Sequence, residues 1–152
     1  AGEFVAQHPP QDVLALPEGS WGQGGGHFTW QNADNSWMWP LIHEAEQRME
    51  RLVERFPDAR GPLRHVLNQA AREKLLLESS DWPFLISTGQ AREYATLRFE
   101  EHRERFQQLA AAAEEGRAAE GAALARRLYE RDKVFPDMDY RLFRRREQAG
   151  GG

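Results

Sequence analysis

The 152-residue sequence contains no cysteine. Disulfide staples and thiolate metal sites are therefore excluded, and the absence fits a reducing compartment. A compact domain of this length can bury most of its apolar surface without such staples. Lysine is nearly missing as well: it occurs only at positions 74 and 133, so arginine carries almost all the positive charge. With 20 basic side chains against 24 acidic ones the net charge is −4, which argues against a general nucleic-acid role. Long apolar runs are absent too. The longest, around Leu75 to Leu77, falls far short of the roughly 20 residues that cross a bilayer. No basic stretch followed by an apolar one opens the chain, so no secretory signal is read. The expectation is a cytoplasmic protein with neither a membrane nor a nucleic-acid partner.

What is present divides unevenly. Residues 1–35 hold Pro9, Pro10, Pro17 and the glycines 22, 24, 25 and 26, with few stretches that could form a helix. They read as an extended arm and a Gly/Trp-rich loop belonging to the same domain as the rest. Within it, Val13 to Leu16 fits a short strand or extended chain ended by Pro17. From Ser36 the pattern turns helical. Trp37, Leu41, Ala45, Met49, Leu52, Val53 and Phe56 recur at three- and four-residue spacing, with Asn35 or Ser36 as N-cap and Pro57 as the stop.

A second helix is expected from Gly61–Pro62 to about Ser79–Asp81. A third starts after Ser87, which has capping-box spacing to Gln90, and runs to Gly116. A fourth spans about Ala118 to Lys133. The apolar tail from Val134 to Phe143 should dock on the bundle rather than dangle. The fold class expected is all-α, a bundle of about four helices over residues 36–147, followed by a frayed end at 148–152.

Few residues look chemical. Ser20-Trp21-Gly22-Gln23-Gly24-Gly25-Gly26-His27-Phe28-Thr29-Trp30 combines turn-permitting glycines with two large flat apolar faces. A sugar offers an apolar C–H face and a polar rim, so an aromatic platform beside backbone groups suits a glucan. The same residues equally suit a loop that two tryptophans pin to the bundle. Phosphate-loop spacing is not met, and no lysine lies nearby. The histidines at 8, 27, 43, 65 and 102 form no His-Glu-x-x-His or Glu-x-x-His pattern, which removes zincin and di-iron sites. His102 reads as a satisfied core or interface histidine; His27 reads as either a site residue or loop packing. The serines read as turn and cap residues, and Glu44, Glu46, Glu50, Glu54, Glu100, Glu101 and Glu104 as a solvated, salt-bridged face. No catalytic residue, metal or cofactor is expected in this chain.

The pattern Ser20-Trp21-Gly22, Gly24-Gly25, His27, Trp30 and Trp37, followed by a long helix, resembles the C-terminal region of family-57 glycoside hydrolases. Asp81-Trp82-Pro83-Phe84, Thr88-Gly89, Tyr94-Ala95, Phe99, His102, Phe106 and Phe135-Pro136-Asp137 extend the likeness over nearly the whole chain. Within that family it is most similar to the 1,4-α-glucan branching enzymes. The resemblance implies an incomplete (β/α) barrel upstream that carries two catalytic carboxylates, about 5 Å apart for a retaining mechanism. It also implies that the helical domain lends two tryptophans, nine residues apart, to the acceptor side of the cleft. Trp21 and Trp30 have that spacing and flanking sequence. The expected substrate-binding residues are thus Trp21, Trp30, His27, Gly24 and Gly25, the partners an α-glucan and the missing barrel. The chain alone is expected to be inactive. The alternatives are a stand-alone helical module that docks a protein through the arm, Trp37, Trp39 and Trp82, or the C-terminal domain of a related family-57 amylase.

Overall fold

The computed structural model describes residue 7 and residues 15–145. Among them, five α-helices and two short 3-10 turns make up the regular structure, and no strand occurs. The all-α class is as expected. Helix α1 spans Met38–Arg55, α2 Gly61–Leu77, α3 Asp81–Thr88, α4 Arg92–Glu114 and α5 Ala118–Arg131. The four long helices are those that the apolar stripes predict; α3 is an addition. Of the extended stretch expected at Val13 to Leu16, the first two residues lie outside the described ones, while Ala15 and Leu16 are irregular and exposed. The frayed end at 148–152 also lies outside them.

Of the expected α1 stripe, Ala45, Met49, Leu52 and Val53 are buried, while Leu41 and Phe56 are half-buried and Trp37 is exposed; Met38 and Ile42, one position along from Trp37 and Leu41, complete the inward face. The helix stops at Phe56, whose amide still donates to the Leu52 carbonyl, because Pro57 cannot continue the ladder. Helix α2 is the centre of the bundle. It packs against α4 and α5 as well as α1, and buries Val66, Leu67, Ala70, Ala71 and Leu77. Helix α4 adds Phe99, Phe106, Leu109 and Ala110. It ends before Gly116, whose φ of 74° is the left-handed turn at which glycine replaces other residues at no steric cost.

Two cap expectations are corrected. Neither Asn35 nor Ser36 caps α1 through its side chain; the helix begins at Met38, whose amide donates to the Asn35 carbonyl at 3.0 Å. Ser87 does not open α4 either. It lies in the last turn of α3, and α4 starts at Arg92 without a side-chain cap. In both places the side chain is engaged in a tertiary contact instead.

Being covered on several sides gives α2 a buried polar seam. Glu73 and His102 are fully buried, with Glu73 Oε2 2.7 Å from His102 Nδ1. Gln69 Nε2 donates to the other Glu73 oxygen at 2.7 Å. On the far side of the His102 ring, Nε2 is 3.1 Å from Arg98, and Arg98 and Arg105 both reach Asp132 at the end of α5. His102 is thus the satisfied core histidine expected. Glu100 and Glu101 are salt-bridged as expected, to Arg103 and to Arg98 and Arg105. Burying charge costs solvation that only such complete partnering offsets.

The C-terminal tail meets the bundle through Met138 and Tyr140, which are buried, while Phe135 and Leu142 stay exposed. Tyr140, at the start of the Tyr140–Phe143 turn, is fully buried. Its amide donates to Asn68 Oδ1 at 3.1 Å. Its hydroxyl donates to the Phe56 carbonyl and accepts from the Ala59 amide at 3.0 Å. One phenol therefore satisfies two backbone groups of the turn between α1 and α2.

Candidate functional site

The loop between residues 20 and 30 is closed on itself by its own backbone. The Ser20 amide donates to the Gly25 carbonyl at 2.8 Å, and the Gly25 amide to the Gly22 carbonyl at 2.9 Å. The Ser20 hydroxyl donates to the Gly26 carbonyl. Between these closures Gln23–Gly25 makes a single 3-10 turn, with φ of 71° at Gly24 and 75° at Gly25. Both glycines lie on the exposed rim of the loop, and a Cβ on Gly24 would meet nothing within 4 Å. Gly22 is different. It is buried, and a Cβ there would stand 2.9 Å from Cζ3 of Trp30.

That closed loop brings Trp21 and Trp30 together edge to face, with ring centroids 5.4 Å apart and an interplanar angle of 89°. Trp30 is half-buried. Trp21 leaves 79% of its surface open, although its ring also meets Phe84 of α3 at 5.9 Å. An indole this exposed, held between two aromatic neighbours, is a fixed apolar face turned to solvent. The backbone of Trp30 is itself anchored, since the Trp39 indole of α1 donates to its carbonyl at 3.1 Å. His27 is exposed, and its Nε2 lies 2.9 Å from Glu18 Oε1. The structure therefore brings Trp21, Trp30, Gly24, Gly25 and His27 onto one short loop. Only the two tryptophans make direct ring contact.

A group that the sequence did not mark holds this loop to the bundle. Ser87 of α3 donates its hydroxyl to the Thr29 carbonyl at 2.6 Å. It accepts from Asn32 Nδ2 at 2.8 Å and from Asn35 Nδ2 at 2.9 Å. Asn35 is completely buried, and its Oδ1 accepts from the Asn32 amide at 2.9 Å. Thr29 continues the chain inward, its hydroxyl accepting from the Gln23 amide at 3.2 Å. Further out, Arg92 of α4 pairs with Asp34 at 2.9 Å. The available signal was the three-residue spacing of Phe84 and Ser87, which puts both on one face of α3.

The remaining tryptophans have structural partners. Trp37 sets its edge against Phe99 at 5.3 Å and donates to the Asp34 carbonyl. Trp82 stacks on His102 at 6.3 Å and donates to the Leu76 carbonyl at 2.7 Å. Among the described residues, no group of three or more histidines and carboxylates is placed to hold a metal ion. No described helix is long and apolar enough to cross a membrane.

With that geometry in view, the comparisons with known proteins are specific. Residues 41–143 match the family model described as 1,4-alpha-glucan branching enzyme, C-terminal. The chain is 50% identical over 97 residues to the 1,4-alpha-glucan branching enzyme of Thermococcus kodakarensis, a match covering 64% of this chain and 14% of that protein. It superposes on a GH57-type branching enzyme from Pyrococcus horikoshii with a TM-score of 0.82 and 38% identity, over 97% of this chain and 29% of the other. The likeness to the alpha-amylase AmyC of Thermotoga maritima is looser: TM-score 0.65 and 33% identity, over 76% of this chain and 22% of that one. The chain thus spans less than a third of the length of these relatives. The family match starts at residue 41, beyond the Trp21–Trp30 loop, whereas the superposition on the Pyrococcus structure takes in nearly all of the chain.

Proposed function

Since the chain belongs to the C-terminal family of 1,4-alpha-glucan branching enzymes, we propose that it forms the acceptor-side wall of such an enzyme's cleft. In this reading a barrel elsewhere in the protein carries the carboxylates that cleave an α-1,4 bond and hold the glycosyl group. The 6-hydroxyl of an acceptor glucan then attacks C1, the bond from C1 to the nucleophilic carboxylate breaks, the hydroxyl proton passes to the acid/base carboxylate, and an α-1,6 branch results. This chain supplies none of the reacting atoms and is inactive by itself. Its part is to seat the acceptor and exclude water, so that transfer outruns hydrolysis. A cytoplasmic setting, where α-glucan stores and the enzyme meet, goes with that role.

The observation that carries the proposal is the Trp21–Trp30 pair, one face of which is open while its other contacts are fixed. A glucose ring laid on Trp21 would bury the C–H face of the sugar and leave its hydroxyls to water and to the loop's backbone groups. Gly24 and Gly25, exposed at the rim, leave room for that approach, and the exposed His27 of the same loop is the candidate for a hydroxyl partner. The tighter superposition on a branching enzyme than on the amylase favours transfer over hydrolysis as the parent activity.

The test is a titration of tryptophan fluorescence with maltoheptaose, run on this chain and on the barrel-containing enzyme, with Trp21→Ala and Trp30→Ala beside each. A saturable change in the complete enzyme that both substitutions abolish supports the platform. A response that survives both in the complete enzyme, or an unaltered ratio of transfer to hydrolysis in Trp21→Ala, refutes it.

A further inference from the structure

We infer that Ser87, with Asn35, is a positioning residue for the tryptophan pair: α3 is the mount on which the acceptor platform is set. This rests on the platform reading above and names the device that fixes its geometry.

A hydroxyl has one donor and two acceptor positions, and all three of Ser87's are taken by the arm, at Thr29, Asn32 and Asn35. Those partners are 52 to 58 residues away in sequence. The contact is therefore a tertiary latch, not local turn chemistry. Thr29, whose carbonyl is bound, immediately precedes Trp30; its hydroxyl binds the Gln23 amide, two residues after Trp21. The latch thus grips the loop between the two indoles. One turn back on the same face of α3, Phe84 meets the Trp21 ring directly.

Asn35 makes the arrangement rigid. It is fully buried, and its two amide hydrogens serve Ser87 at 2.9 Å and the Thr29 carbonyl at 3.2 Å, so it bonds to both α3 and the loop. Helix α3 is in turn seated by Trp82, which stacks on the buried His102 of α4. From the bundle's interior to the open indole, every joint is a packed ring or a satisfied polar group.

Removing the Ser87 hydroxyl breaks all three bonds together while leaving Phe84 in place. With Thr29 freed from Ser87, the loop can shift Trp30 against Trp21 with no substrate-contacting atom deleted. The consequence belongs to acceptor seating, not to bond cleavage.

Two measurements decide the inference. In this chain, the indole–indole exciton band in circular dichroism reports the edge-to-face pair without any glucan. Trp21→Ala should abolish it, Ser87→Ala should weaken it strongly with the helical signal kept, and Ser87→Thr, which retains the hydroxyl, should restore it. In the barrel-containing enzyme, Ser87→Ala should raise the acceptor concentration for half-maximal transfer on the order of tenfold, short of the hundredfold that a 1 Å misplacement can cost. Cleavage of the donor should stay unchanged. In a Trp21→Ala background the same substitution should then add nothing, because its effect passes through the indole.

An exciton band unchanged by Ser87→Ala, or full additivity with Trp21→Ala, overturns the positioning role. If Trp21→Ala itself leaves transfer unaltered, the platform reading fails, and the exciton band still decides whether the latch sets the pair.

Discussion

Replacing Gly121 with alanine sets two well-characterised effects against each other. Gly121 lies in the first turns of α5, and alanine gains up to about 1 kcal/mol over glycine in a helix. On an exposed helix that gain would prevail. Here a Cβ would stand 2.9 Å from Cβ of Ala112 and 2.9 Å from Cγ2 of Val66, where ordinary carbon contacts are about 3.5–4.0 Å. Neither neighbour yields easily. The Ala112 methyl has no torsion to turn, and Val66 is fully buried on α2, where a β-branched side chain keeps one rotamer. Helix α5 must therefore move away from α2 and α4, and overpacking of this kind costs about 1–3 kcal/mol. Set against the full helix gain, the balance is a net destabilisation of up to about 2 kcal/mol, equivalent to a fall of up to roughly 8 °C in Tm for a chain of this size. Urea denaturation and calorimetry read it directly. Val66→Ala removes both γ-methyls, so in that background Gly121→Ala should cost markedly less. A rise in Tm for Gly121→Ala alone would refute the close approach of the three helices.

Arg48 of α1 holds Glu114 at the end of α4 through bonds of 3.0 and 2.6 Å, and this contact brings the Glu114 carboxyl below its ordinary 4.5, against the opposing effect of burial. A depressed acid adds stability above its unfolded pKa and loses it as pH falls through the folded value. The deficit of Arg48→Met in chemical denaturation should accordingly be largest near neutrality and shrink below about pH 4.5; a pH-independent deficit would contradict the pairing. Tyr140→Phe leaves the Phe56 carbonyl and the Ala59 amide without the phenol. It should cost about 1–3 kcal/mol with an unchanged m value, and a loss under 0.5 kcal/mol would mean that water replaces the hydroxyl freely.

The long helices were legible because an apolar stripe at helical spacing, closed by Pro57 or Gly116, has only one economical fold. Helix α3 was not. Its sequence Asp81-Trp82-Pro83-Phe84-Leu85-Ile86-Ser87-Thr88 is apolar on nearly every side, so periodicity has nothing to contrast, and proline near a helix start reads equally as a break. Glu73 also escaped notice. Between Arg72 and Lys74 it looks like a solvated face, and burial came from α4 covering a side of α2 that no local pattern records. The tryptophan pair was visible as composition and spacing. Its mount was not, because Ser87 and Asn35 each have a local role, capping a helix, that their residue types favour. The choice between cap and latch is made by partners more than fifty residues away.

The docking of Tyr140 also has a bearing on time. The ribosome delivers a chain from its N-terminus, so the turn between α1 and α2 emerges before the tail that docks on it. Yet the hydroxyl that completes that turn belongs to a residue more than eighty positions later. Until it arrives, α1 and α2 can form and touch, but their junction keeps a carbonyl and an amide open to water. Helices are quick to form, whereas a contact this distant in sequence waits on closure of a long loop. Tyr140 is thus the bolt of the bundle: it closes the junction of two helices that precede it by most of the domain.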